Sequence, residues 1–204
     1  RTQQGILQHL QTEGLSYQSL YIYNAMNVTG SRATLEWLAA RPDVARIVRL
    51  PDPRPDPVTV ERTVITAPEA VRWNLLRVGA PDVWGMGYDG SGLVIANNDT
   101  GVDYTHPALV NQYRGNLGGG GFDHNYNWWD DAQQDPYLYP FDRDGHGTHT
   151  MGTMVGDDGG VNQTGVAPGA QWIACASMSL ECFEFFLAPW DLNRQNPDPS
   201  KAPD

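Results

Sequence analysis

Leu93-Val94-Ile95-Ala96-Asn97-Asn98-Asp99-Thr100-Gly101-Val102-Asp103 is the stretch whose reading decides the fold. Residues 93–96 are apolar without alternation, the pattern of a strand buried on both faces of a parallel sheet. The run then ends in Asn, Asp, Thr and Gly, which favour a turn. In open α/β sheets, ligand-binding and catalytic groups collect at the carboxyl ends of strands, and Asp99 is placed there. Taken alone, Asp99 caps a turn as readily as it does chemistry. Aspartic proteases also use Asp-Thr-Gly, but they need the motif twice and this chain has it once.

Further on lies Asp142-Arg143-Asp144-Gly145-His146-Gly147-Thr148-His149-Thr150-Met151-Gly152-Thr153-Met154-Val155-Gly156. Asp142, Asp144 and Gly145 are turn formers. The small, almost uncharged residues after them read as a helix entering the core, with His146 at its mouth. Gly147 and Gly152 each cost about 1 kcal/mol of helix propensity against Ala, so close approach of neighbouring backbone is expected at both. An isolated His in such a place is more often a cap or a buried structural residue than a catalytic one. The flanking residues change that reading.

Gly145-His146-Gly147-Thr148-His149, followed by small residues and Gly152, resembles the histidine motif of the subtilisin-like (subtilase, peptidase S8) serine proteases. The resemblance makes His146 the general base and leaves His149 structural. Asp99-Thr100-Gly101-Val102-Asp103-Tyr104-Thr105-His106-Pro107-Ala108-Leu109 resembles the family's aspartate motif, with Asp99 as the triad acid. Thr164-Gly165-Val166-Ala167-Pro168-Gly169-Ala170, leading into a strand over 171–176, is similar to a further hallmark of the family. Tyr113-Arg114-Gly115 with Asn127-Trp128 resembles the bacillopeptidase F-like branch. In such a site the acid accepts from His Nδ1–H, fixes the tautomer, and stabilises the imidazolium formed when the base takes a serine proton. The Asp-before-His order agrees with the subtilisin order Asp, His, Ser.

Two residues depart from the family pattern. Asn98 stands where an aliphatic residue is usual, and a polar side chain there needs a partner. Ala108 stands where many subtilases have an Asp that helps hold a structural calcium, which puts that site in doubt. Calcium is therefore the one cofactor left open, and the chemistry requires none. Residues 110–141 form an insert rich in glycine, aromatics and acids, read as a surface loop packed by its own aromatics. A helix is expected over 177–190 with Leu180, Phe183, Phe186 and Leu187 on one face. Cys175 and Cys182 either pair in an oxidising compartment or stay buried thiols.

The implied fold is α/β: a subtilisin-like parallel sheet with helices on both faces, N-terminal half only, over 67–204. Residues 1–50 read as a helix through Ile6, Leu7 and Leu10, a strand over 19–26 broken by Asn27 and Gly30, a helix capped by Ser31, and a short strand over 44–50. Leu38-Ala39-Ala40-Arg41-Pro42-Asp43-Val44-Ala45-Arg46-Ile47 resembles the inhibitor I9-like propeptide of the family, a small α+β ferredoxin-like domain that packs on and caps the enzyme as a zymogen. Residues 51–66, with Pro51, Pro53, Pro55 and Pro57, read as an extended linker.

The formal net charge of −11 at pH 7 argues against nucleic acid or an anionic membrane surface as partner. No apolar run is long enough to span a bilayer. The resemblance implies a protein or peptide substrate and a secreted or extracellular location, although the chain opens at Arg1 without a signal peptide. The family's nucleophile motif, Gly-Thr-Ser-Met, does not occur in the 204 residues. Ser177 and Ser179 lack its lead and follow His146 too soon. The expectation is a serine endopeptidase represented by its Asp and His alone, inactive in this form. Two other readings are a pseudoenzyme or propeptide-type inhibitor module, and a metal hydrolase using His146, His149 and Asp144, which lacks the Glu of His-Glu-x-x-His.

Overall fold

The computed structural model describes residues 3–50, 71–131, 137–160, 162–177 and 179–204. The chain divides into two compact units, Arg1–Asp52 and Pro53–Asp204. The expected linker over 51–66 lies outside the described residues.

In the first unit, helix α1 (Gln4–Thr12) buries Ile6 and Leu10, one turn apart. Strands β1 (Ser16–Leu20) and β2 (Ala25–Thr29) then pair antiparallel, with Leu20 opposite Ala25. Helix α2 (Arg32–Ala39) starts at Ser31, whose Oγ accepts from the Thr34 backbone while Thr34 Oγ1 accepts from Ser31 N. Two expectations fail here. The single strand over 19–26 is a hairpin: Tyr21, Ile22 and Tyr23 are exposed at its turn, and Asn27 pairs with Gln18 inside β2. Strand propensity runs on both sides of the turn, and composition could not show where the chain reverses. Residues 44–50 form no strand, and Ile47, Val48 and Leu50 are exposed. Period-two alternation becomes a strand only where an edge is there to pair with it. The observed order is helix, strand, strand, helix.

The second unit opens with α3 (Trp73–Val78), stopped by Gly79 at φ +73, and α4 (Ala80–Gly85). Strand β3 (Val94–Asp99) follows. The hairpin β4 (Asn116–Gly118) and β5 (Gly121–Phe122) and the strand β6 (Trp128–Asp130) precede helix α5 (His146–Val155). Strand β7 (Gln171–Ala176) and helix α6 (Leu180–Leu187) come last. The main sheet has the order β3-β7-β6, and both pairings are parallel.

Alternation along β7 builds a core on each face. Trp172, Ala174 and Ala176 pack with Met151 and Val155 of α5, and with Leu109, Tyr113 and Trp128. Ile173 and Cys175 pack with Cys182 and Phe185 of α6, and with Trp190. The unit is α/β with helices on both faces of a parallel sheet, consistent with the subtilisin-like fold.

Three local readings are corrected. Strand β3 runs through Asn97 and Asn98 to Asp99, past the apolar residues at which the strand was expected to end. The insert over 110–141 is more than a surface loop: Trp128, fully buried, sits on a third sheet strand, and Tyr113 packs on Trp172 with ring centroids 4.4 Å apart. Helix α6 is rotated from its expected face. Glu181, Cys182, Glu184 and Phe185 are buried, while Leu180, Phe183 and Leu187 are exposed. The Cys175–Cys182 disulfide turns Cys182 toward β7, and Phe185, three residues on, follows it inward.

Candidate active site

Asp99 is the last residue of β3 and His146 the first of α5. His146 Nδ1 lies 2.7 Å from Asp99 Oδ1. The parity of β3 explains the meeting. Asn97 and Asp99 share the face covered by α5, and Asn98 points to the other face, where its Nδ2 donates to the Ser179 carbonyl. The polar residue in the aliphatic place thus finds its partner at the start of α6, away from His146.

The approach of α5 to the β3 loop depends on two glycines. A Cβ on Gly147 would drive into the Gly101 carbonyl, and one on Gly101, at φ +114, into the Phe141 carbonyl. Gly152 was expected to have the same role. A Cβ there would meet nothing nearer than Thr164 Oγ1 at 4.0 Å.

Asp142 is more than a turn former. Its Oδ1 accepts from Thr100 Oγ1 (2.7 Å), Gly145 N (2.9 Å) and Asp144 N (3.1 Å), and its Oδ2 accepts from Thr148 N (2.7 Å). Thr100 Oγ1 in turn accepts from Gly147 N at 2.9 Å. One carboxylate thereby ties the loop after Asp99 to the first turn of α5, whose backbone N–H groups have no partners within the helix. Burial opposes its charge, but the bonds from Thr148, Gly145 and Thr100 outweigh that and hold its carboxyl below the usual range. Arg143 adds a second tie, its two terminal nitrogens reaching Asp130 Oδ1 and Oδ2 at 3.2 and 2.6 Å across to β6. Sequence reading found neither role. The one available signal was an Asp shortly before a helix whose first turn carries Thr148.

Asp99 is 8% exposed. It accepts from its neighbour Thr100 N at 2.7 Å on Oδ1 and from Thr150 Oγ1 at 3.0 Å on Oδ2. The His146 side chain keeps 32% of its surface exposed. The hydrogen bond to Asp99 raises its pKa above the ordinary histidine value against the effect of partial burial, with smaller upward contributions from the charges of Asp99, Asp144 and Asp142. With Nδ1–H donated to Asp99, Nε2 is the nitrogen left to take up a proton. The arrangement is an oriented, partly exposed base backed by a buried carboxylate.

His149 is exposed on α5. Among the described residues no three His, Cys, Asp or Glu side chains are grouped so as to hold a metal ion. Ala108 is buried and brings no side-chain oxygen to its place after His106-Pro107.

A parallel α/β sheet with an Asp at a strand end hydrogen-bonded to a His at a helix start defines a subtilisin-like arrangement. The comparisons agree with it. Residues 90–182 match the model of the subtilase family, peptidase S8, and the match contains both Asp99 and His146. The whole chain aligns with bacillopeptidase F of Bacillus subtilis at 38% identity over 228 residues, which is 16% of that protein. Two further B. subtilis relatives are the major intracellular serine protease, 37% identical over 93 residues (46% of this chain, 26% of the relative), and the minor extracellular protease Vpr, 38% identical over 97 residues (48% and 11%). The family match and these identities support a subtilisin-like serine protease. The chain spans between about a tenth and a quarter of the length of these relatives. By their names the relatives include both extracellular and intracellular enzymes. Among the described residues no helix is long and apolar enough to cross a membrane.

Proposed function

We propose that this chain carries the acid and the base of a serine-type endopeptidase, with Asp99 as the buried acid and His146 as the general base. The observation that carries the proposal is the 2.7 Å contact of His146 Nδ1 with Asp99 Oδ1, at the junction of a strand end and a helix start. Such a pair takes the proton of a serine hydroxyl as the oxygen attacks a peptide carbonyl, and returns it to the leaving amine. The serine is supplied from outside these 204 residues, and the chain by itself does not cleave peptides. Residues 1–50 act as an inhibitor I9-like propeptide that caps the enzyme until it is removed, and the mature enzyme works outside the cell. The disulfide between Cys175 and Cys182 supports that location, since such bonds persist in oxidising compartments.

Sequencing the reading frame past Asp204 tests the proposal. An in-frame Asn motif followed by Gly-Thr-Ser-Met is the expected result. A stop codon directly after Asp204 would overturn it and favour a non-catalytic binding module.

A further inference from the structure

Asn97 is 8% exposed and lies two residues before Asp99, on the same face of β3. Its Nδ2 donates to the Gly147 carbonyl at 3.1 Å and to Thr150 Oγ1 at 3.0 Å. Thr150, one turn after His146 on α5, has its Oγ1 3.0 Å from Asp99 Oδ2 and 3.0 Å from the same Gly147 carbonyl.

The hydrogens in this cluster are limited. A threonine hydroxyl carries one hydrogen, so it serves either Asp99 or Gly147, and a carboxamide nitrogen carries two. One hydrogen of Asn97 occupies the Gly147 carbonyl. The other occupies a lone pair on Thr150 Oγ1. The hydroxyl hydrogen is then left for Asp99 Oδ2, and a bond to a carboxylate is stronger than one to a neutral carbonyl. A shorter or apolar residue at 97 would leave the Gly147 carbonyl open and let the hydroxyl turn to it.

We infer that Asn97 is a positioning residue that acts through Thr150: it commits the threonine hydroxyl to Asp99 Oδ2, so that Oδ1 stays fixed toward His146. This rests on the reading of Asp99 and His146 as acid and base. With Oδ2 held on one side and Thr100 N on Oδ1, the carboxylate does not rotate away when the imidazole changes charge. The charged groups acting on His146 are Asp99, Asp144 and Asp142, and substitution at 97 or 150 alters none of them. Removing the hydroxyl from Asp99 leaves more of the carboxylate charge to act on the imidazolium, which favours the charged form of His146.

The test is an NMR titration of His146 in the 204-residue chain, its resonance assigned by loss in His146→Ala. Asn97→Leu is expected to raise the midpoint by about 0.3–0.5 pH unit, and Thr150→Val to raise it as much or more. In the Thr150→Val background Asn97→Leu adds no further shift, and Thr150→Ser, which keeps the hydroxyl, titrates like the parent. Should Asn97→Leu fail to fold, Asn97→Ser replaces it, with the same upward shift expected because serine cannot reach both acceptors. An unchanged midpoint in the folded variant, or an equal shift with and without the Thr150 hydroxyl, overturns the inference. Asp99→Asn separates the two levels: if it leaves the midpoint at the parent value, the acid–base reading itself fails, whatever Asn97 does.

Discussion

At the scale of single residues, two glycines that look alike in the sequence are separated by what stands opposite them. Gly147 faces the backbone carbonyl of Gly101, which cannot rotate aside, whereas Gly152 has open space out to 4.0 Å. Gly147→Ala is expected to destabilise the chain by about 3 kcal/mol through overpacking. Gly152→Ala is expected to stabilise it by up to about 1 kcal/mol through helix propensity. Chemical denaturation of the two variants checks both signs. His146 makes the stability depend on pH. Its raised pKa means that the imidazolium–Asp99 pair stabilises the fold below about pH 6.5, the unfolded value, and that this contribution fades as pH rises through the folded value. On the proposed reading of His146 as general base, activity runs the opposite way, since such a base must be neutral. His146 should therefore titrate above about 6.5 and fall back toward it in Asp99→Asn, read by NMR. Asp99 and His146 were legible because their motifs are local in the sequence. Asp142, Arg143 and Asn97 were not, because each acts on a partner from another element, and no spacing rule encodes such pairs.

At the scale of elements, β3, α5 and β7 could be read from the sequence, since a buried parallel strand and a helix of small residues leave local patterns. Strand β6 could not, because three residues with two tryptophans look the same in a loop and in a sheet. The rotation of α6 was hidden for a different reason. Periodicity chose the face with Leu180, Phe183 and Leu187, but the disulfide of Cys182 with Cys175 fixes the opposite one. As a result Glu181 is buried beside Asp131, with Arg194 Nη1 2.9 Å from its Oε1. Burial, reinforced by Asp131, pushes its carboxyl up to about 8 against the pull of Arg194. Burial and the neighbouring acids favour the neutral form of Glu181 more than Arg194 favours the charged one. The sign follows from the raised value: stability from this group is full below the unfolded carboxyl range, about pH 4.3, and is lost as pH climbs toward the folded value. Glu181→Gln should flatten that decline, leaving the variant more stable than the parent at alkaline pH. Thermal unfolding across the pH range measures it, and an unchanged profile would contradict the buried, protonated state.

At the scale of the whole molecule, the two units differ in how far the sequence could take them. The second unit is dominated by a sheet whose pairing is forced by burial on both faces, so the fold class followed from the apolar runs and the motifs at their ends. The first unit is a two-stranded hairpin with two helices. There, strand propensity on both sides of a turn gave one long strand where the chain makes two. On the proposed reading the nucleophilic serine comes from outside these 204 positions. The most direct measurement is peptide-bond cleavage of a protein substrate by the product of the full reading frame, compared with its Asp99→Asn and His146→Ala forms. Cleavage by the parent and a loss of roughly 10⁴-fold or more in either variant are expected. Cleavage that survives His146→Ala would contradict the assignment of acid and base made here.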